Sequence, residues 1–144
     1  MTNETHRSVT LSRLDEGVYL ARNARGGEVR FGSSAGADFT PVEMLLAAIA
    51  GCSAIDLDVV TGRRSPAERF EMQVDAEAIR GADGNALHDI VVRFDIAFPP
   101  GPGGDAAREV LPRALRTSRD RTCTVSRTIE AGTPVTLQLA ETDA

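Results

Sequence analysis

The chain has no tryptophan, one tyrosine, two histidines and two cysteines among its 144 residues. Each shortage excludes a class of function. Without tryptophan and with one tyrosine there is no platform for stacking nucleic-acid bases. The net charge of −5 leaves no basic stripe to displace counterions from a phosphate backbone, so nucleic acid is not an expected partner. His6 lies in a polar tail and His88 begins a strand. Neither forms a spaced ligand pair with a cysteine, so no metal or other cofactor is expected. No glycine-rich phosphate loop, nucleophile elbow or dinucleotide fingerprint is present. The longest uncharged apolar run, Met44 to Ile55, falls short of the about 20 residues that span a bilayer. The first residues lack the apolar core of a secretion signal. The expectation is a cytoplasmic protein, off the membrane, whose thiols are kept reduced.

What the chain does contain is ordinary. A hydrophobic share of 42% and a charged share of 26% are those of a globular protein. The length fits one domain over residues 1–144, with 1–7 as a frayed tail and about two-thirds of the unfolded surface buried.

Alternation with period two marks short strands at Val9–Arg13, Val18–Arg22 and Glu28–Phe31, joined by turns at Asp15-Glu16-Gly17 and Arg25-Gly26-Gly27. Thr40-Pro41-Val42-Glu43 is a helix start: Thr40 caps, Pro41 suits the first position and Glu43 completes a capping box. The helix should run to Thr61-Gly62, apolar on all sides from Met44 to Ile55. Phe70 to Glu77 and Asp89 to Phe98 alternate as a long hairpin around Gly81–Asn85. After the break Pro99–Gly104, a helix is expected over Asp105–Arg119, with Pro112 kinking it or marking its first turn. A short helix should begin near Cys123 and end by Gly132, and Thr133–Leu139 should close as a last strand.

This order makes an α+β fold, with antiparallel sheets against a buried central helix. One sheet can cover only one side of a helix that is apolar all round. The simplest remedy is a second copy, giving a homodimer in which the central helices pack together.

The cysteines then stand out. Cys52 sits in the apolar helix, where a free thiol is usually a small core side chain. Cys123 sits where a second helix begins, and unpaired backbone N–H groups stabilise a thiolate there. Two such thiols in a chain with few other reactive groups point to redox chemistry. The residues alone leave open which one attacks. Asp56, one turn after Cys52, would raise that thiol's pKa unless an arginine such as Arg13 neutralised it.

The run Thr40-Pro41-Val42-Glu43-Met44-Leu45-Leu46-Ala47-Ala48-Ile49-Ala50-Gly51-Cys52-Ser53-Ala54-Ile55-Asp56, together with Cys123-Thr124-Val125-Ser126, resembles the OsmC/Ohr family, osmotically inducible and organic hydroperoxide resistance proteins. The resemblance extends from about Ser8 to Leu139. It implies an intertwined homodimer and a thiol peroxidase acting on organic or hydrogen peroxides. Cys52 would become a sulfenic acid, Cys123 would resolve it as a disulfide, and a dithiol or lipoyl-type reductant would reopen it. The peroxidase members carry glutamate directly after the proline. Here Val42 holds that place and Glu43 follows, and the wording around Cys52 is closer to an OsmC-like branch. Arg13 matches the family's orienting arginine by position. Glu43 precedes Cys52 by nine residues, about 13.5 Å of helical rise and a half-turn away, so it is a cap or a group lent to the partner subunit's site. Two rival expectations remain: a binding protein for a small hydrophobic molecule, and a thiol redox sensor on the same fold.

Overall fold

The computed structural model describes residues 5–141, so the first part of the expected tail lies outside the described residues. The element order is β1 (Val9–Asp15), β2 (Val18–Asn23), β3 (Glu28–Gly32), α1 (Pro41–Gly62), β4 (Arg69–Gly81), β5 (Gly84–Ala97), α2 (Pro102–Thr117), a π-helical turn (Ser118–Thr122) and α3 (Thr124–Glu130). The fold is α+β with two antiparallel sheets. The chain divides into two compact units, one ending at Ala47 and one beginning at Ala48.

The first unit is the meander β1-β2-β3 followed by the start of α1. Gly17 turns β1 into β2 at φ +70°, where a Cβ would collide with the Ser33 hydroxyl, so the tight return depends on glycine. Tyr19 pairs with Phe31 across β2 and β3, and their rings stack at 5.5 Å. The opposite end of the sheet stays open. Val9 and Leu11 are more than half exposed, and with Ala21, Val29, Phe31 and Met44 they border a hollow of about 580 Å³.

The helix start forms as the sequence requires. The Glu43 N–H donates to Thr40 Oγ1 at 3.2 Å, and the Thr40 N–H donates to Glu43 Oε1 at 2.9 Å. This closes the capping box and satisfies donors that a helix N-terminus otherwise leaves unpaired.

In the second unit, β4 and β5 form one long hairpin in register Phe70↔Ile96, Met72↔Phe94 and Val74↔Val92. β4 extends past its expected bounds and β5 starts before its own, ending one residue early at Ala97, so the strands meet at the Gly81↔Gly84 pair. The later part of α1 packs here through Ile49, Ala50, Leu57 and Thr61. On α2, Ala107, Val110 and Ala114 recur at helical spacing as its buried face. That helix begins at Pro102, ahead of the expected Asp105, because Pro102 occupies its first turn where a missing N–H costs nothing. Pro112 lies inside it without ending it. A Cβ at Gly104 would run into the Pro99 carbonyl, so the approach of α2 to Phe98-Pro99 needs glycine.

One expectation needs revision. Thr133–Leu139 forms no strand: residues 133–140 carry no regular structure, and Val135, Leu137 and Leu139 are 82, 91 and 97% exposed. A strand needs a neighbouring edge, and this segment is unpaired within its own chain. The helix α1 spans 22 residues, and an 18-residue window of it, with mean hydropathy 1.8, meets the length and composition of a membrane span. Asp56 and the fully buried Leu57 nevertheless tie it into the α+β unit.

Candidate functional site

The second unit brings both cysteines together. Cys52 lies half-buried on α1, and Cys123 is fully buried between the π-helical turn and α3. They are near enough that each shifts the ionisation of the other. Both thiols are free.

The position of Cys123 follows from the segment before it. Its N–H donates to the Ser118 carbonyl at 2.8 Å, the wide i→i+5 closure of a π-turn. Its own carbonyl accepts from the Arg127 N–H at 3.0 Å and so opens α3. The sulfur therefore sits at the N-cap of α3, beside N–H groups that have no partner within the helix.

Two hydroxyls flank that sulfur. Ser53, next to Cys52 on α1, donates to Cys123 Sγ at 3.4 Å, and Ser126 Oγ lies 3.3 Å away on the other side. A hydroxyl proton is free to rotate, so Ser126 can accept from the thiol and donate to the thiolate.

The two thiols ionise differently. Burial pushes the Cys52 thiol up, the Val125 and Thr124 N–H groups pull it back, and the neighbouring Cys123 raises it again. The outcome is above the ordinary thiol value. Burial also pushes Cys123 up, but the Ser126 and Ser53 hydroxyls, the Ser126 N–H and Cys52 outweigh it and leave it below the ordinary value. Of the two, the enclosed Cys123 sulfur is therefore the easier to ionise.

Asp56 is placed otherwise than the sequence suggests. Its Oδ2 accepts from Ser118 Oγ and from Thr122 Oγ1, each at 2.8 Å. The carboxylate is occupied by the π-turn, and burial is the main reason that Cys52 is raised.

Arg13 and Glu43 belong to the first unit. Arg13 is exposed on β1 opposite Tyr19, at the register shift between Arg13 and Asp15. Glu43 is exposed and engaged with Thr40. His88 faces Glu77 across the hairpin. Among the described residues no group of three His, Cys, Asp or Glu side chains could hold a metal ion.

Sequence reasoning missed four hydroxyl-bearing partners: Ser53, Ser126, Ser118 and Thr122. The first two carried a usable signal. Ser53 directly follows one cysteine, and Ser126 stands three residues after the other, the N3 position of a helix capped by Cys123.

A sequence model of OsmC-like proteins matches residues 33–138, the span holding both cysteines. The chain belongs to the OsmC family. An uncharacterized protein of Mycobacterium tuberculosis is 29% identical over 128 residues, 88% of this chain and 90% of its own. Among solved structures, a hypothetical protein from Aquifex aeolicus superposes with TM-score 0.70 at 19% identity, covering 89% of each chain. An OsmC-like protein from Mycoplasma pneumoniae gives 0.68 at 14% identity, over 88% of this chain and 89% of its own. At these identities the structures establish an OsmC fold and nothing finer.

Proposed function

We propose that this OsmC protein is a thiol peroxidase that reduces organic or hydrogen peroxides. The observation that supports it is the thiol pair itself: the only two cysteines in the chain lie side by side, one reachable and one sealed. Cys52 thiolate attacks the terminal peroxide oxygen. The O–O bond breaks, Cys52 becomes a sulfenic acid, and the alkoxide takes a proton to leave as an alcohol. The Cys123 sulfur then attacks the Cys52 sulfur, displacing hydroxide, which leaves as water when it takes the remaining thiol proton. The product is a Cys52–Cys123 disulfide, and a dithiol or lipoyl-type reductant restores both thiols by exchange. No cofactor enters the cycle.

In this proposal the working unit is a homodimer in the reducing cytoplasm. Support comes from apolar surface open in the single chain: Val42, Leu45, Ile55 and Val59 on α1, the hollow beneath β1, and the alternating Val135, Leu137 and Leu139. Arg13 is assigned a substrate-orienting role, and Glu43 the cap it makes. Mass spectrometry after one equivalent of an organic hydroperoxide tests the cycle. The wild-type protein should lose the mass of two hydrogens. Cys123→Ser should carry one added oxygen at Cys52, and Cys52→Ser should consume no peroxide. Multiple turnovers by Cys52→Ser would refute the assignment.

A second reading rests on the 580 Å³ hollow in the first unit, whose lining is mainly apolar. As a site for a small hydrophobic molecule it would retain a copurifying ligand, and peroxide would leave both thiols unchanged.

A further inference from the structure

We infer that Asp56 is a positioning residue for Cys123: its carboxylate clamps both ends of the π-helical turn to α1 and so sets how the two sulfurs meet. Asp56 follows Cys52 by one helical turn, so both project from neighbouring parts of the same face. One oxygen, Oδ2, accepts at 2.8 Å from Ser118, the first residue of the π-turn, and at 2.8 Å from Thr122, the last. Cys123 is the next residue in the chain. Ser118 is nearly sealed from solvent, and its carbonyl also receives the Cys123 N–H. A single carboxylate therefore fixes the segment that carries the buried thiol, from the same helix that carries the other thiol.

The chemistry gives this clamp a task. A disulfide closes only when the sulfurs approach to about 2.05 Å with a narrow range of dihedral angles. A π-turn is rare, well under about 1% of residues in globular proteins, and its wide closure needs outside support. Asp56 provides it through two bonds to a charged acceptor, shorter and stronger than neutral ones. Val59, Val110, Arg113 and Thr117 border a cavity of about 420 Å³ together with Asp56 and Thr122. The unclamped turn would have room to shift into it.

The inference rests in part on the thiol-peroxidase assignment, so the experiment has one readout tied to that cycle and one independent of it. In full-length protein, the Cys52–Cys123 disulfide is equilibrated against dithiothreitol, and sulfenate formation and ring closure are timed separately after one equivalent of peroxide. Once sulfenate has formed, Asp56→Ala should close at least tenfold more slowly, tenfold being about the worth of one of the two charge-assisted bonds it loses. Its disulfide should be reduced at correspondingly lower dithiothreitol. Asp56→Asn, which keeps an acceptor oxygen without the charge, should recover about half of the loss in free energy. The independent readout is alkylation of Cys123 in reduced protein, which should speed up at least tenfold in Asp56→Ala while urea unfolding shows the protein still folded. Where Asp56→Ala does not fold, Ser118→Ala and Thr122→Val each remove one donor and should show the same pattern more weakly. Unchanged alkylation of Cys123 in folded Asp56→Ala overturns the inference, as does unchanged closure in a wild type that cycles. A wild type that forms neither sulfenate nor disulfide overturns the peroxidase assignment, while faster Cys123 alkylation in Asp56→Ala would still uphold the clamp.

Discussion

Glu43 is the residue at which the structural and catalytic assignments give opposite results. Its carboxylate accepts from the Thr40 N–H at 2.9 Å, while its own N–H donates to Thr40 Oγ1 at 3.2 Å. Replacing the cap, Thr40→Ala, should cost about 1 kcal/mol. Glu43→Gln keeps an acceptor oxygen and loses only the negative charge beside the helix N-terminus, about 0.3–1 kcal/mol. Glu43→Ala loses both and should fall at or slightly beyond Thr40→Ala. For a chain of 144 residues, 1 kcal/mol corresponds to about 4 °C in melting temperature. Thermal melts at one fixed protein concentration, alongside peroxide turnover, measure both quantities, since self-association would otherwise shift the melt. A cap-only Glu43 gives melts in the order wild type, Gln, then Ala, all with unchanged turnover. A Glu43→Gln protein that melts with wild type but turns over tenfold more slowly would refute this. Its carboxylate would then act in the chemistry, in a partner subunit's site.

The remaining predictions concern the thiols and the open apolar surface. Ser126→Ala removes a group that holds Cys123 below its ordinary value, so the thiolate should form at higher pH. Alkylation of Cys123 in a Cys52→Ala background near pH 7 should slow about fivefold, the worth of about 1 kcal/mol in one hydrogen bond; an unchanged pH profile removes Ser126 from the account. Every basic side chain other than histidine is arginine and there is one tyrosine, so few groups besides thiols titrate between the neutral and strongly alkaline ranges. Cys52 is raised on folding. Its contribution to stability is therefore complete below the unfolded thiol pKa and is lost as pH rises through the folded one. Urea midpoints of reduced protein should drop across that range, and Cys52→Ser should flatten the drop. Finally, Val135, Leu137 and Leu139 stand exposed at alternate positions. Changing all three to aspartate should weaken self-association in sedimentation velocity, whereas a monomeric wild type would refute the dimer.

The parts of this fold legible in the sequence are those fixed by local chemistry. Thr40, Pro41 and Glu43 specify a helix start among themselves, and they form it. Phe70, Met72 and Val74 alternate with Glu71 and Gln73, and the hairpin follows. Local rules misplaced the start of α2, because Pro99–Gly104 reads as a break while Pro102 is also an acceptable first residue of a helix. The π-turn was not legible at all. It depends on Asp56, more than sixty residues earlier in the chain, taking the hydroxyls of Ser118 and Thr122. The alternation in Thr133–Leu139 was legible, but a strand also needs an edge to pair with, and the segment's own sequence does not supply one. At the site, both cysteines could be found from sequence, whereas the serines that set their ionisation became evident only through contact.

Access and ionisation fall on different sulfurs, and the proposed cycle has to work across that division. Cys52 can be reached from outside, but its thiol is raised and resists ionising. Cys123 is sealed, yet two hydroxyls and a backbone N–H favour its thiolate. An enclosed thiolate beside an S–H donor is a base, so Cys123 can take the Cys52 proton and leave the accessible sulfur as the nucleophile. After the peroxide bond breaks, the same proton is on the sulfur that must attack the sulfenic acid, and it departs in the water that closure releases. Because the thiols share one charge, the reactive form exists between two ionisations that belong to the pair rather than to either residue. If instead the exposed thiol had been the acidic one, Cys52 could react without its neighbour, and Cys123→Ser would leave the first step untouched. In the arrangement found, Cys123→Ser should still reach the sulfenic acid, but slowly, because the base that ionises Cys52 is gone.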